Sequence, residues 1–185
     1  MVVGRGRRAA FLDRDGVLTR AFVREGKPYP PASLAELEIL PGVAQALQRL
    51  HAAGVLNVVV TNQPDVALGT QRREVVEAIN ERLSRQLPLD AVKVCYHADA
   101  EGCACRKPRP GMLLEAAREL GIDLARSFMV GDRWRDVCAG NAAGCQAFFV
   151  DCGYAEARPV APFVAVKSLS DAVDRILRTL ASSSP

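Results

Sequence analysis

Two aspartates one residue apart close an apolar run, Ala9-Ala10-Phe11-Leu12-Asp13-Arg14-Asp15-Gly16-Val17-Leu18. One carboxylate in such a pair can attack an electrophile while its neighbour moves protons or helps hold a cation. Asp-x-Asp is a common tripeptide, and alone it fits a solvated turn after an edge strand equally well. Two other apolar runs also end in polar groups. Val58-Val59-Val60 leads into Thr61-Asn62-Gln63, and Phe128-Met129-Val130-Gly131 leads into Asp132, Arg133 and Asp136. A second constellation is built from Cys95, His97, Cys103 and Cys105. Three thiolates and one imidazole in a short loop make a tetrahedral zinc set, and closed four-ligand sites are usually structural. Disulfides or inert buried thiols are the alternatives, and the interleaved histidine argues against both. Cys138, Cys145 and Cys152 read as small core residues, and His51 as an exposed residue near a helix end.

Strands and helices must alternate to bring these groups together. After the Phe11 strand comes an irregular stretch from Thr19 to Glu38 carrying Pro28, Pro30 and Pro31. Pro41-Gly42 then opens a helix with Val43, Ala46, Leu47, Leu50 and Ala53 at helical spacing, closed by Gly54. The Val58 strand precedes a loop through Pro64 and Gly69. A helix follows with Val75, Ile79, Leu83 and Leu87 as its apolar stripe. Val92-Lys93-Val94 reads as a short strand, and Leu113, Leu114, Ala117 and Leu120 mark a third helix ended by Gly121. The Met129 strand, a helix from Arg135 to Ala143, the strand Ala147–Val150 and a helix from Asp171 to Leu180 complete the series. The alternation predicts a parallel sheet with helices on both faces, which places Asp13 and Asp15 where open α/β sheets bind ligands.

The chain of 185 residues fits one domain, with a core over about 9–152 and a C-terminal helix over about 170–181. No apolar run approaches membrane-spanning length, and the start lacks the apolar stretch of a secretory signal, so the expectation is a cytoplasmic protein without membrane partners. The net charge is only +3, and basic residues are mixed with acidic ones. The Arg-rich start therefore reads as a solvated tail rather than a nucleic-acid arm, and the Ser-Ser-Ser-Pro end as frayed.

In this order, Asp13-Arg14-Asp15-Gly16, Thr61-Asn62-Gln63, Arg106-Lys107-Pro108 and Gly131-Asp132-Arg133-Trp134-Arg135-Asp136 resemble the four motifs of the haloacid dehalogenase superfamily of phosphotransferases. The resemblance runs from about Ala9 to Val150. It implies an α/β fold, a Rossmann-like three-layer sandwich around a central parallel sheet. There is no room for a large cap domain between Gly16 and Pro41 or between Thr61 and Lys107. By the same resemblance Asp13 is the nucleophile that forms an aspartyl-phosphate, and Asp15 the general acid and base. Mg2+ is held by Asp13, Asp132 and the main-chain carbonyl of Asp15, with Asp136 supporting from behind. Thr61 and the main-chain amide of Asn62 bind phosphoryl oxygens, Lys107 balances their charge, and Arg106 and Arg133 face the substrate.

The Cys-x-His and Cys-x-Cys-Arg-Lys-Pro sequences, with Gly111-Met112, are similar to a narrower branch that carries a Zn2+ loop. That branch contains heptose bisphosphate phosphatases and histidinol-phosphate phosphatases. It implies that the zinc loop fixes Arg106 and Lys107 over a capless pocket, and that Phe22–Arg24 contact the leaving part of the substrate. The long segment after the nucleophile and the Gly69 loop look closer to the heptose enzymes. Pro64-Asp65 stands where the branch usually has Ser-Gly, placing an acid at the pocket mouth. The expectation is a monomeric phosphatase acting on a small-molecule sugar phosphate. The rivals are histidinol-phosphate hydrolysis, a zinc-stabilised interaction module and a receiver-like domain. A receiver has no need of a base at Asp15.

Overall fold

A computed structural model describes residues 6–182. Strand β1 (Arg8–Leu12) lies inside a six-stranded sheet between β4 (Val55–Asn62) and β6 (Phe128–Gly131). Beyond β4 lies β5 (Ala91–Cys95), and beyond β6 lie β7 (Gln146–Val150) and β8 (Val164–Val166); every pairing is parallel. Ala9 to Leu12 are wholly buried, as a strand covered on both faces requires. Ala10 and Leu12 face one core while Ala9 and Phe11 face the other.

Helices α1 (Val43–Ala52), α2 (Arg73–Gln86) and α5 (Leu169–Ser182) cover the first core; α3 (Gly111–Leu120) and α4 (Trp134–Ala143) lie on the opposite side. Val43, Ala46, Leu47 and Leu50 bury one stripe of α1, and Leu169, Ala172, Val173 and Ile176 repeat that spacing in α5. The chain steps from β1 outward to β5, then returns to β6 on the other side of β1. Right-handed crossovers in opposite directions put helices on opposite faces. They also make the carboxyl end of β1 the switch point, where a crevice opens.

The parallel three-layer architecture and the lack of a cap match expectation. Several local readings need correction. The stretch after β1 contains a hairpin of β2 (Phe22–Arg24) and β3 (Lys27–Tyr29), followed by a 3-10 turn at Leu34–Glu36. Strands of three residues are too short to show alternation, and Pro28 disguises one of them. Strand β8 is hidden for the same reason, after Pro159 and Pro162. In α2 the buried stripe is Val76, Ile79 and Leu83; Val75 is only partly covered, and Leu87 is buried just beyond the helix. In α3 Met112, Leu113 and Ala116 face the core, whereas Leu114 is 47% exposed. Cys145 is buried and its thiol is pushed up to about 12 by burial, but Cys138 is half-buried and Cys152 exposed, so neither is a core residue.

The solvated tail expected before Gly6 and the last residues of the Ser-Ser-Ser-Pro end lie outside the described residues. Arg7 and Arg8 are not tail: Arg8 begins β1, and the backbone of Arg7 bonds Gly121 and Asp123 at 2.9 and 2.8 Å. Among the described residues no helix is long and apolar enough to cross a membrane.

Candidate active site

The parallel register brings the motifs together. Leu12 pairs with Val59 and with Val130, and the amide of Asp13 continues the ladder by donating to Val130 O at 2.9 Å. Asp13 therefore stands level with the end of β6, and Thr61 and Asp132 lie one step further along their strands. Asp13, Asp132 and Asp136 place carboxylate oxygens within 4.8 Å of one another, all buried. Lys107 answers this charge. Lys107 is 1% exposed, and its ammonium reaches Asp13 Oδ1 at 2.9 Å, Asp136 Oδ1 at 2.6 Å and Val60 O at 2.8 Å.

The side chain of Asn62 fixes Lys107 by gripping its peptide from both sides. Nδ2 donates to the Lys107 carbonyl at 3.0 Å, and Oδ1 accepts its amide at 3.1 Å. That side chain is thus spent on the chain itself. Lys107 is also not laid over the pocket beside Arg106, as the sequence implied, but sunk beneath it.

Burial, then the charge of Asp136, pushes the Asp13 carboxyl above the usual carboxylate range, against the pull of Lys107. Burial, Asp13 and Asp136 drive Asp132 further up. Three anions so placed need a counter-charge beyond one ammonium. Asp132 Oδ1 is buried with no hydrogen-bond partner, while both oxygens of Asp136 are taken, by Lys107 and by the Arg133 amide at 2.9 Å. Asp13 and Asp132 thus fit a hard divalent cation, and Asp136 fits a supporting place. Gly16, at φ +96°, lets the turn after β1 pass against this cluster; any Cβ there would strike Asp132 and the Tyr154 hydroxyl.

Asp15 is held by residues the sequence reading did not single out. Arg14, wholly buried, sends Nε and Nη2 to its carboxylate at 2.9–3.2 Å, and Arg14 Nη1 is tied by Asn80 Oδ1 at 2.8 Å. Thr19 donates to Asp15 Oδ1 at 3.0 Å. The Gln63 amide is shared between Asp15 Oδ2 at 2.9 Å and Thr61 Oγ1 at 3.0 Å. The only sequence signal for Arg14 was its place between two acids at the end of a buried strand. Asn80 gave none, and Gln63 only its place in the Thr61-Asn62-Gln63 run.

Around these groups is an open cleft of about 230 Å³, a small-molecule dimension. Its walls include Lys27–Tyr29 of β3, the following Pro30, Asp65, Arg106, Arg133 and Arg135. Phe22–Arg24 do not line it, so the hairpin presents its second strand rather than its first. Arg106 and Arg135 share Asp99, through contacts of 2.6 Å and 3.2 Å, and Asp99 is held below its usual range chiefly by Arg106. Arg133 is paired with Glu156. Asp65 lines the cleft, and its carboxylate accepts the Thr70 hydroxyl at 3.2 Å.

The cysteine loop closes into one cluster. Cys95 Sγ is 3.6 Å from His97 Nδ1, 3.6 Å from Cys103 Sγ and 3.2 Å from Cys105 Sγ; Cys105 is 3.4 Å from Cys103 and 3.3 Å from His97. Tetrahedral ligands at zinc bond lengths would stand about 3.5–3.8 Å apart, so the donor set and spacing fit Zn2+. The loop reaches the cleft through the His97 carbonyl, which accepts Arg106 Nη1 at 3.3 Å.

Residues 104–172 match a family described as HAD-hydrolase-like. The D-glycero-beta-D-manno-heptose-1,7-bisphosphate 7-phosphatase of Pasteurella multocida is 39% identical over 150 residues, covering 74% of this chain and 77% of that one. The protein of the same description from Bordetella bronchiseptica is 39% identical over 151 residues, 77% of this chain and 80% of its own. A crystal structure of D,D-heptose 1,7-bisphosphate phosphatase from B. bronchiseptica, complexed with magnesium and phosphate, has a TM-score of 0.80 at 32% identity, covering 93% of this chain and 99% of that one. The chain belongs to the haloacid dehalogenase superfamily of phosphatases and is a phosphomonoester hydrolase. Within that family it resembles the D-glycero-D-manno-heptose-1,7-bisphosphate 7-phosphatases.

Proposed function

We propose that this chain is a cytoplasmic, monomeric phosphatase. In this reading it hydrolyses D-glycero-D-manno-heptose 1,7-bisphosphate to the heptose 1-phosphate. The observation that carries the reading is the joining of two features. The buried Asp13–Lys107–Asp132 centre stands at the switch point, and the cleft above it has Arg106 and Arg135 with one carboxylate between them. Two guanidiniums on one acid leave a positive charge for a second, non-reacting phosphate.

Asp13 attacks phosphorus, so a P–O bond to the carboxylate forms as the ester P–O bond breaks. Asp15 gives its proton to the leaving alcohol oxygen. It then takes a proton from water as that water attacks the aspartyl-phosphate, and phosphate leaves with Asp13 restored. Thr61 and the main-chain amide of Asn62 hold the phosphoryl oxygens, Lys107 balances charge from beneath, and the Asn62 side chain keeps Lys107 in place. Gln63 ties the position of Asp15 to that of Thr61. Mg2+, held by Asp13, Asp132 and the Asp15 carbonyl, would offset the charge of nucleophile and phosphate when bound. Zn2+, held by Cys95, His97, Cys103 and Cys105, would fix the loop that carries Arg106.

Histidinol phosphate remains as the second reading because Asp65 lines the cleft and suits an amine. A phosphate-release panel of the heptose bisphosphate, histidinol phosphate and common sugar monophosphates separates the two. Highest catalytic efficiency on the bisphosphate is the expected result; faster turnover of histidinol phosphate would replace the proposal.

A further inference from the structure

The segment after β7 is not part of the four motifs, yet three consecutive residues of it fasten to the site. The Tyr154 hydroxyl donates to Asp132 Oδ2 at 2.7 Å. The Ala155 amide donates to Gly26 O at 2.8 Å, in the turn between β2 and β3. Glu156 pairs with Arg133 on the cleft wall. The strap thus joins the carboxylate at the end of β6 to the hairpin whose second strand lines the cleft. The turn after β1 is shaped to admit it, since a side chain at Gly16 would strike both the Tyr154 hydroxyl and Asp132 Oδ2. Asp132 is left with its two oxygens unlike: Oδ2 has accepted the phenol, and Oδ1 is buried without a partner.

We propose that Tyr154 is a positioning residue for the cation, restricting Asp132 to coordination through Oδ1 and so favouring magnesium over calcium. The inference rests on the magnesium-dependent reading above. Magnesium demands near-ideal octahedral geometry and takes single carboxylate oxygens, whereas calcium is larger and accepts a carboxylate through both. A hydrogen bond that occupies Oδ2 fixes the carboxylate's orientation and removes the two-oxygen mode. Tyr154→Phe keeps the ring and removes only the donor, leaving both oxygens open.

The test is calorimetric titration of MgCl2 and of CaCl2 into the purified, zinc-loaded full chain and its Tyr154→Phe variant, with thermal unfolding in magnesium-free buffer alongside. Partners that orient a metal ligand are worth about 10–100-fold in affinity, so the variant should bind magnesium at least about tenfold more weakly. Calcium should weaken less, so that the preference for magnesium falls, and the magnesium-free midpoint should hold. Magnesium binding equal to that of the unmodified chain would overturn the inference. So would equal losses for both ions with a lowered magnesium-free midpoint, which mark a merely structural tyrosine. If the unmodified chain bound no magnesium, the metal reading itself would fail, and this inference with it.

Discussion

Replacing Lys107 by methionine removes the single cation that the buried carboxylates share while keeping most of the side-chain volume. The ammonium has three partners, Asp13, Asp136 and the Val60 carbonyl, at 2.6–2.9 Å. Breaking a buried ion pair from one side costs about 3–5 kcal/mol, which in a chain of this size lowers the unfolding midpoint by roughly 6–20 °C. The deficit should depend on pH with a definite sign. Asp13 and Asp132 have raised pKa values in the folded state, chiefly through burial, so the native protein holds more protons than the unfolded chain. Their contribution is fully present below the ordinary carboxylate range and is lost as pH rises through the raised values.

Without Lys107 the carboxylates hold protons more strongly still, and the variant should recover part of its deficit on going from neutral pH to an acidic pH nearer the ordinary carboxylate range. Exposed pairs such as Asp151–Arg158, whose carboxylate is shifted the other way, cancel in the comparison of the two proteins. Thermal unfolding followed by circular dichroism in magnesium-free buffer at both pH values is the assay. Equal midpoints at the higher pH, or a deficit that grows on acidification, would refute the electrostatic account of Lys107.

Asp15→Asn should lose at least about 100-fold in turnover yet accumulate phosphoenzyme, visible as a mass increase on the protein, because attack and hydrolysis use different groups. Metal analysis should find about one zinc per chain, and Cys103→Ser should lower zinc content, unfolding midpoint and catalytic rate together; full activity in zinc-free protein would contradict this. Arg106→Ala should reduce catalytic efficiency on the bisphosphate about 10–100-fold, the worth of a charge-assisted hydrogen bond, and much less on a monophosphate.

What could be read from the sequence followed from periodicity and from side-chain type. The long strands and helices show in their apolar spacing, and the three strand-end motifs, the Arg106-Lys107-Pro108 loop and the Cys/His set are chemically conspicuous. The hairpin and β8 were illegible because three-residue strands carry too little pattern, and prolines stand in or just ahead of them. Leu114 was misplaced because α3 takes its phase from Gly111, where the helix begins against the Ala104 carbonyl, and not from its most apolar residues. The place of Asn62 beside Thr61 points to its main-chain amide as a phosphoryl ligand, but nothing in the sequence shows that its side chain holds the Lys107 peptide. Asn80, Tyr154 and Glu156 reach the site only through tertiary contacts, from a helix and a loop. No local spacing announces such partners.

The central claim is that Asp13 carries the phosphoryl group. Its most direct test is phosphate release from the heptose bisphosphate with magnesium, measured for the unmodified chain and for Asp13→Asn, with the folded state of each followed by its unfolding midpoint. The account predicts magnesium-dependent release by the unmodified chain. It predicts none by the variant, whose midpoint should hold or rise in magnesium-free buffer, since one of three crowded carboxylates has lost its charge. An Asp13→Asn protein that still released phosphate in a magnesium-dependent way would contradict it.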